Sequence, residues 1–281
     1  RWKVSIPKRA KELAIRVTCG KDKVIEYSSL DVRKIRELPY DNPGNLWSIE
    51  DGSPERLLKA AVSWLKWFEY KKALGLIEKA LRKRPGFIEA HYWKGNLYFD
   101  LFKFRKALGE LSKVTARNVH YPTARFLVGQ IRRYEGNLAE AREIAAELPR
   151  TRNGMRLGVQ IEGEVAMVEG KWREAAGAFG KLARAKDAAP HTMALCAAAL
   201  RRLGRKDEAI ALARRAVEID PIEFLALNEL EVLGVATGRD KVMRGQVESY
   251  LELASYYEDL GLFEEAAGIL DHYRAEICKG D

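Results

Sequence analysis

Five alanines, Ala73, Ala107, Ala141, Ala175 and Ala209, follow one another at intervals of 34 residues. A second column of small residues, Ala61, Gly95, Gly129, Gly163 and Ala197, runs twelve positions ahead of the first. Two helices that cross at close range need a side chain of almost no volume at the crossing, or their axes are pushed apart. A fixed 34-residue period in a helix-rich chain therefore specifies stacked helical hairpins. The expected fold class is all-α, an α-solenoid of helix hairpins, preceded by a small N-terminal β-hairpin segment.

The repeating part is expected over residues 54–281. Regular hairpins are expected at 54–87, 88–121, 122–155, 156–189 and 190–221, an irregular stretch at 222–246 and a closing hairpin at 247–281. Ser53-Pro54 reads as an N-cap with proline in the first helical turn, and Asp220-Pro221 as a stop. Gly136, Gly170, Gly204 and Gly261 fall where the first helix of a pair must end, and glycine enters the left-handed conformation without a Cβ penalty. Phe68 and Phe102 hold that place in the first two hairpins, so those turns are expected to be built differently.

Two stretches leave the pattern. Residues 1–53 alternate at Leu13, Ile15, Val17 and Cys19, turn at Gly20–Lys23 and continue at Val24–Tyr27, which predicts a β-hairpin. Pro39–Gly44 reads as a linker. A lone hairpin is marginal in water, so it either packs on the first helices or ends a β domain lying upstream. After Pro221, Glu229 stands in the small-residue column and Lys241 in the alanine column, while Ala266 follows Ala209 by 57 residues. Residues 222–246 are therefore read as a helix with an excursion.

Charge is unevenly placed. Residues 54–155 carry 21 basic and 10 acidic groups, whereas residues 222–281 carry 5 and 13. A basic front can attract an acidic partner, or meet the acidic tail of another copy, although solvated helix faces account for the same numbers. Cys19, Cys196 and Cys278 are far apart and in no metal spacing, which suits a reducing, cytoplasmic setting. No transmembrane run or apolar signal core is present, and the absence of an initiator Met suggests a piece of a longer protein. Only three glutamines against 49 Lys plus Arg hint at a hot-living source.

The residues Gly95, Tyr98, Ala107 and Leu111 of the second hairpin resemble tetratricopeptide repeats, as do Leu195, Ala197, Leu200, Ala209, Ala216 and Pro221 of the fifth. Lys94, Arg132 and Glu162 depart from that pattern. A further resemblance is to the repeat tails of large prokaryotic, carbohydrate-associated β-sandwich proteins, on the closing stretch Tyr250–Ala254 and Ile269-Leu270. The first resemblance implies a right-handed superhelix whose concave groove is lined by the first helix of each pair.

Periodicity then selects Lys59, Lys66, Tyr92, Trp93, Asn96, Phe99, Phe126, Gln130, Arg133 and Arg201 as the partner-binding groove, with Glu164 also facing it. Aromatic rings with a polar handle dominate interface energetics, and Lys or Arg can bind carboxylates. The competing reading packs the same rings against the next repeat. The expected function is a scaffold that binds a peptide or partner helix. The alternative is the structural tail of a larger carbohydrate-associated protein.

No membrane partner is expected, and nucleic acid is disfavoured because the acidic tail interrupts any basic path. The four histidines are isolated, and no His-Glu-x-x-His, Cys-x-x-Cys or Gly-x-Ser-x-Gly occurs. Neither an enzyme site, a metal nor a cofactor is expected.

Overall fold

The computed structural model describes residues 14–19, 22–28, 52–151 and 153–277. Two compact units make up the chain, residues 1–90 and 91–281.

In the first unit, strand β1 (Ala14–Cys19) pairs antiparallel with β2 (Asp22–Ser28), Ala14 opposite Ser28 and Cys19 opposite Asp22. Leu13, the Gly20-Lys21 tip and the linker at 39–44 lie outside the described residues. Helix α1 (Pro54–Lys66) starts where Ser53 Oγ accepts the Arg56 amide, satisfying one of the amides that a helix start leaves free. Helix α2 (Tyr70–Lys83) lays Ala73, Ile77 and Ala80 into the unit, and α1 adds Leu57, Ala60 and Ala61. All six are fully buried.

The unit boundary falls within helix α3 (Ile88–Asp100). The second unit continues through α4 (Phe104–Leu111), α5 (Tyr121–Tyr134), α6 (Leu138–Glu147), α7 (Met155–Val168) and α8 (Trp172–Ala183). It then runs through α9 (Pro190–Arg202), α10 (Lys206–Ile219), α11 (Phe224–Val232), the short α12 (Arg239–Met243), α13 (Val247–Asp259) and α14 (Phe263–His272). Helices carry the fold.

The small-residue columns sit at the crossings. Ala107, Ala141, Ala175, Ala197 and Ala209 are fully buried. A Cβ on Gly95 would lie 2.7 Å from Leu111, one on Gly129 2.6 Å from Ile161, and one on Gly163 2.7 Å from the Phe179 ring. Such distances leave no room for a methyl group without moving a neighbour.

The turns correct one expectation. Phe68 (φ 58°) and Phe102 (φ 54°) occupy the left-handed region, as Gly136, Gly170, Gly204 and Gly261 do. The first two turns are thus built like the others, with Phe carrying a Cβ strain of about 1–2 kcal/mol that glycine would avoid.

The closing hairpin is not an appendage. Tyr250, Leu253, Tyr257 and Ile269 share one core cluster with Ala166, Met193, Ala197 and Leu225. Helices α13 and α14 are therefore packed into the array formed by α7 to α11.

Candidate functional site

Lys59 and Lys66 lie exposed on α1, within the first unit. The other eight positions selected from the period lie in the second unit and fall into two groups.

The first group is aromatic and partly open. Tyr92 is buried, its ring stacked on His120 with centroids 4.2 Å apart and planes 4° apart. Trp93 meets Tyr92 edge-on at 5.2 Å and is half-buried, as are Asn96, Phe99 and Phe126. Phe99 packs against Phe104 at 6.0 Å and Tyr134 at 6.4 Å. Burial pushes the Tyr92 hydroxyl pKa up, with Asp100 adding to it. Tyr92 is thus a packing residue that fixes Trp93, and not an open contact.

The second group is sealed from solvent. Gln130 and Arg133 are 5% and 8% exposed. Arg133 Nε and Nη2 donate to Gln130 Oε1 at 3.1 and 3.0 Å, and Arg133 Nη1 donates to the Asp259 carbonyl. Gln130 Nε2 donates to Glu164 Oε2 at 2.5 Å, and Arg133 Nε lies 3.4 Å from the same oxygen. Tyr134 Oη donates to Asp259 Oδ2 at 3.1 Å. The end of α13 therefore covers the face that the period assigned to a groove, and consumes its polar atoms.

Arg201 is placed the same way. Its Nε donates to Glu229 Oε2 at 2.6 Å and its Nη2 to Glu265 Oε1 at 3.1 Å. Burial opposes the charge on Arg201, and the bonds to Glu229 outweigh it, so its pKa rises further above the arginine range. Glu229, fully buried, also accepts from Tyr257 Oη at 2.6 Å, and Asn228 Nδ2 donates to that hydroxyl at 2.7 Å. Arg239 Nη1 donates to Asn228 Oδ1, and its Nη2 pairs with Asp240 Oδ1 at 3.1 Å. Asp240 accepts from Tyr250 Oη at 2.9 Å and meets His272 Nε2 at 2.8 Å. One polar seam thus runs from α9 through α11 and α12 to both closing helices.

Sequence reasoning saw Glu229 only as a break in register. The signal available was an acid in a column of small residues, 28 positions after Arg201 and 28 before Tyr257.

What remains open is a cleft of about 570 Å³ beside the closing turn, walled by Phe102, Tyr134, Val168 and Phe263 and floored by Asp259. Phe102 is 74% and Phe263 65% exposed. Phe102 packs on Phe104 at 5.9 Å, and Phe104 stacks on Tyr134 at 5.7 Å. Burial pushes the Asp259 carboxyl pKa up, with Arg133 and Tyr134 opposing. Sequence periodicity missed this surface because Phe102 and Phe263 sit at turns, outside any helical face count.

Residues 94–155 and 162–221 match the tetratricopeptide repeat family model, so tetratricopeptide repeats make up those stretches. Solved structures of the same fold include the apo form of the quorum sensor NprR from B. thuringiensis. It is 15% identical, with a TM-score of 0.62 over 87% of this chain and 83% of that one. A tetratricopeptide repeat protein from Parabacteroides merdae is 18% identical, with a TM-score of 0.56 over 73% and 80%. A thermophilic TPR protein in Thermus thermophilus is 22% identical, with a TM-score of 0.54 over 65% and 100%. Likeness at these identities establishes the fold. No curated protein matches the chain. Nothing in these matches supports the resemblance to carbohydrate-associated repeat tails.

Proposed function

We propose that the chain is a protein-interaction scaffold, and that a peptide or partner helix docks in the aromatic cleft beside the closing turn. The observation that carries this reading is Phe102. It holds a strained left-handed backbone and yet leaves its ring exposed, at a cleft that the exposed Phe263 also lines. Backbone strain of this kind concentrates at clamps and binding sites. Exposed rings on a rigid scaffold supply contact area at little entropic cost. An apolar side chain of the partner would sit between the two rings, with a donor group toward Asp259 and Glu258. Trp93, Asn96, Phe99 and Phe126 extend the candidate surface along α3 and α5. Lys59 and Lys66 are proposed as contacts of the first unit on its own.

No helix among the described residues is long and apolar enough to cross a membrane. Cys196 is free and buried, which fits a reducing cytoplasmic setting. The test is retention from a lysate of the source organism on immobilised wild type and on the Phe102→Ala/Phe263→Ala variant. Both rings are exposed, so the variant keeps its fold. The expected result is a defined set of proteins held by wild type and lost by the variant. Equal retention overturns the cleft. Arg133→Glu is a poor probe, because it strands a buried acid beside Glu164.

A further inference from the structure

A second cavity of about 550 Å³ lies between α8 and α10. Four arginines line it, Arg173, Arg184, Arg205 and Arg215, with one acid, Glu208. Arg205 is held by Glu208 through two bonds of 2.7 Å. The other three make no ion pair among the described residues, and Arg215 only donates to the Ala183 carbonyl at 3.2 Å. Each of the three is exposed. Elsewhere on this protein arginines are repeatedly paired, as Arg142 is with Glu169 and Arg156 with Asp187. Three guanidinium groups without an ion pair thus gather around one hollow.

The floor gives a second observation. Gly177 and Gly180 stand in the middle of α8. Glycine weakens a helix interior, and normally a close neighbour explains it. Here a Cβ on Gly177 would meet nothing within 4 Å, and one on Gly180 only Arg184 at 3.8 Å and Cys196 at 3.9 Å. Internal packing does not require these glycines, nor Gly75 and Gly109 in α2 and α4, and at this cavity they leave room for an incoming backbone. Cys196 sits beneath them, buried, its thiol pKa pushed up to about 11 by burial while Arg184 and Arg205 pull the other way. The thiol is thus neutral, and the hollow's charge is that of its arginines.

We propose that this cavity receives an acidic segment of a partner protein, with carboxylates on Arg173, Arg184 and Arg215 and its backbone close against Gly177 and Gly180. Guanidinium forks bind carboxylates with two parallel bonds, which gives both strength and orientation. Single-stranded nucleic acid is the poorer fit, because its binding grooves offer rings for bases to stack on and none lines this cavity. A lone inorganic anion would leave most of the volume empty. The inference rests on the scaffold reading but not on the aromatic cleft, which takes a different segment.

The experiment measures fluorescence anisotropy of a labelled helical peptide of repeated Glu-Ala-Ala-Ala-Glu, with a Lys-for-Glu peptide as control. Wild type should bind the acidic peptide, more weakly as salt rises. Arg184→Glu/Arg215→Glu should weaken it by about tenfold or more. Arg214→Glu, an exposed reversal on the same helix that does not line the cavity, should change it by less than about threefold. Thermal melts check the fold of the double variant, and Arg184→Gln/Arg215→Gln replaces it if it fails to fold. Equal losses in the double variant and in Arg214→Glu would overturn the site. So would tighter binding of an oligothymidine strand than of the acidic peptide. Failure here leaves the cleft to its own retention assay.

Discussion

The regular hairpins and the closing region solve the same packing problem with opposite chemistry. Between α3 and α10 the helices approach because Gly95, Gly129, Gly163 and the alanine column remove volume. From α9 to α14 buried charge is added to the shared apolar core, with Arg201, Glu229, Tyr257, Asn228, Arg239 and Asp240 bonded in series. A small-residue seam tolerates any neighbour of suitable shape, so it can repeat. A charged seam accepts only its own partners, because an unpaired buried charge costs far more than a paired one returns. The first kind of seam extends an array; the second ends it in one arrangement.

The largest effect should come from breaking the charged seam. Glu229→Ala leaves the buried Tyr257 hydroxyl without its acceptor and Arg201 with Glu265 alone, and should cost the second unit about 3–5 kcal/mol in urea unfolding. Cost near zero would show that water or rearrangement replaces the acid easily, and that the two regions do not differ as described. Next comes the small-residue seam. Gly129→Leu drives a side chain into Ile161 and Ile144 and should cost about 1–3 kcal/mol by the same measurement. An unchanged midpoint would mean that the crossing is looser than its distances imply.

Acid should separate the regions further. Burial opposes the charge on Asp240, and bonds from His272, Tyr250 and Arg239 outweigh it, holding the carboxyl below its usual range. A lowered folded pKa contributes stability at neutral pH that is lost as pH falls through that pKa. Melts from about pH 5 to about pH 2 should therefore show a steeper loss in wild type than in Asp240→Asn. Parallel curves would detach this pair from the acid response. The smallest effect concerns the turns. Phe68→Gly relieves a left-handed side chain and should raise the first unit's stability by about 1 kcal/mol or less. A loss instead would mean that the Phe68–Tyr70 ring contact at 6.2 Å outweighs the strain.

The two seams also differ in how far they could be read from residue order. Volume is a local property, so the columns at Gly95, Gly129 and Gly163 declare a helix crossing wherever they recur. Pairing is not local. Glu229 marks a disturbance, but nothing in its neighbourhood names Arg201 or Tyr257 as its partners. The groove positions suffered for the same reason. Period 3.6 assigns Gln130 and Arg133 to one face correctly, yet cannot show that Asp259, 126 residues beyond Arg133, comes to cover that face. The exposed cleft escaped because Phe102 and Phe263 flank turns. At Phe102 the missing glycine was visible, but the chain adopts the glycine conformation all the same.

The closing hairpin lies against the array within the same chain. A Cβ on Gly261 would sit 3.5 Å from the Val168 Cα. Cysteines at Val168 and Gly261 would therefore stand side by side at this contact, the one at 261 in the left-handed conformation that Phe68 and Phe102 also adopt. Mild oxidation of the Val168→Cys/Gly261→Cys variant, followed by peptide mapping under non-reducing conditions, measures that contact. The prediction is rapid, concentration-independent linkage of residue 168 to residue 261 in the monomer. Absence of that linkage in a folded variant, with both thiols still free, would contradict the packing of the closing hairpin on α7.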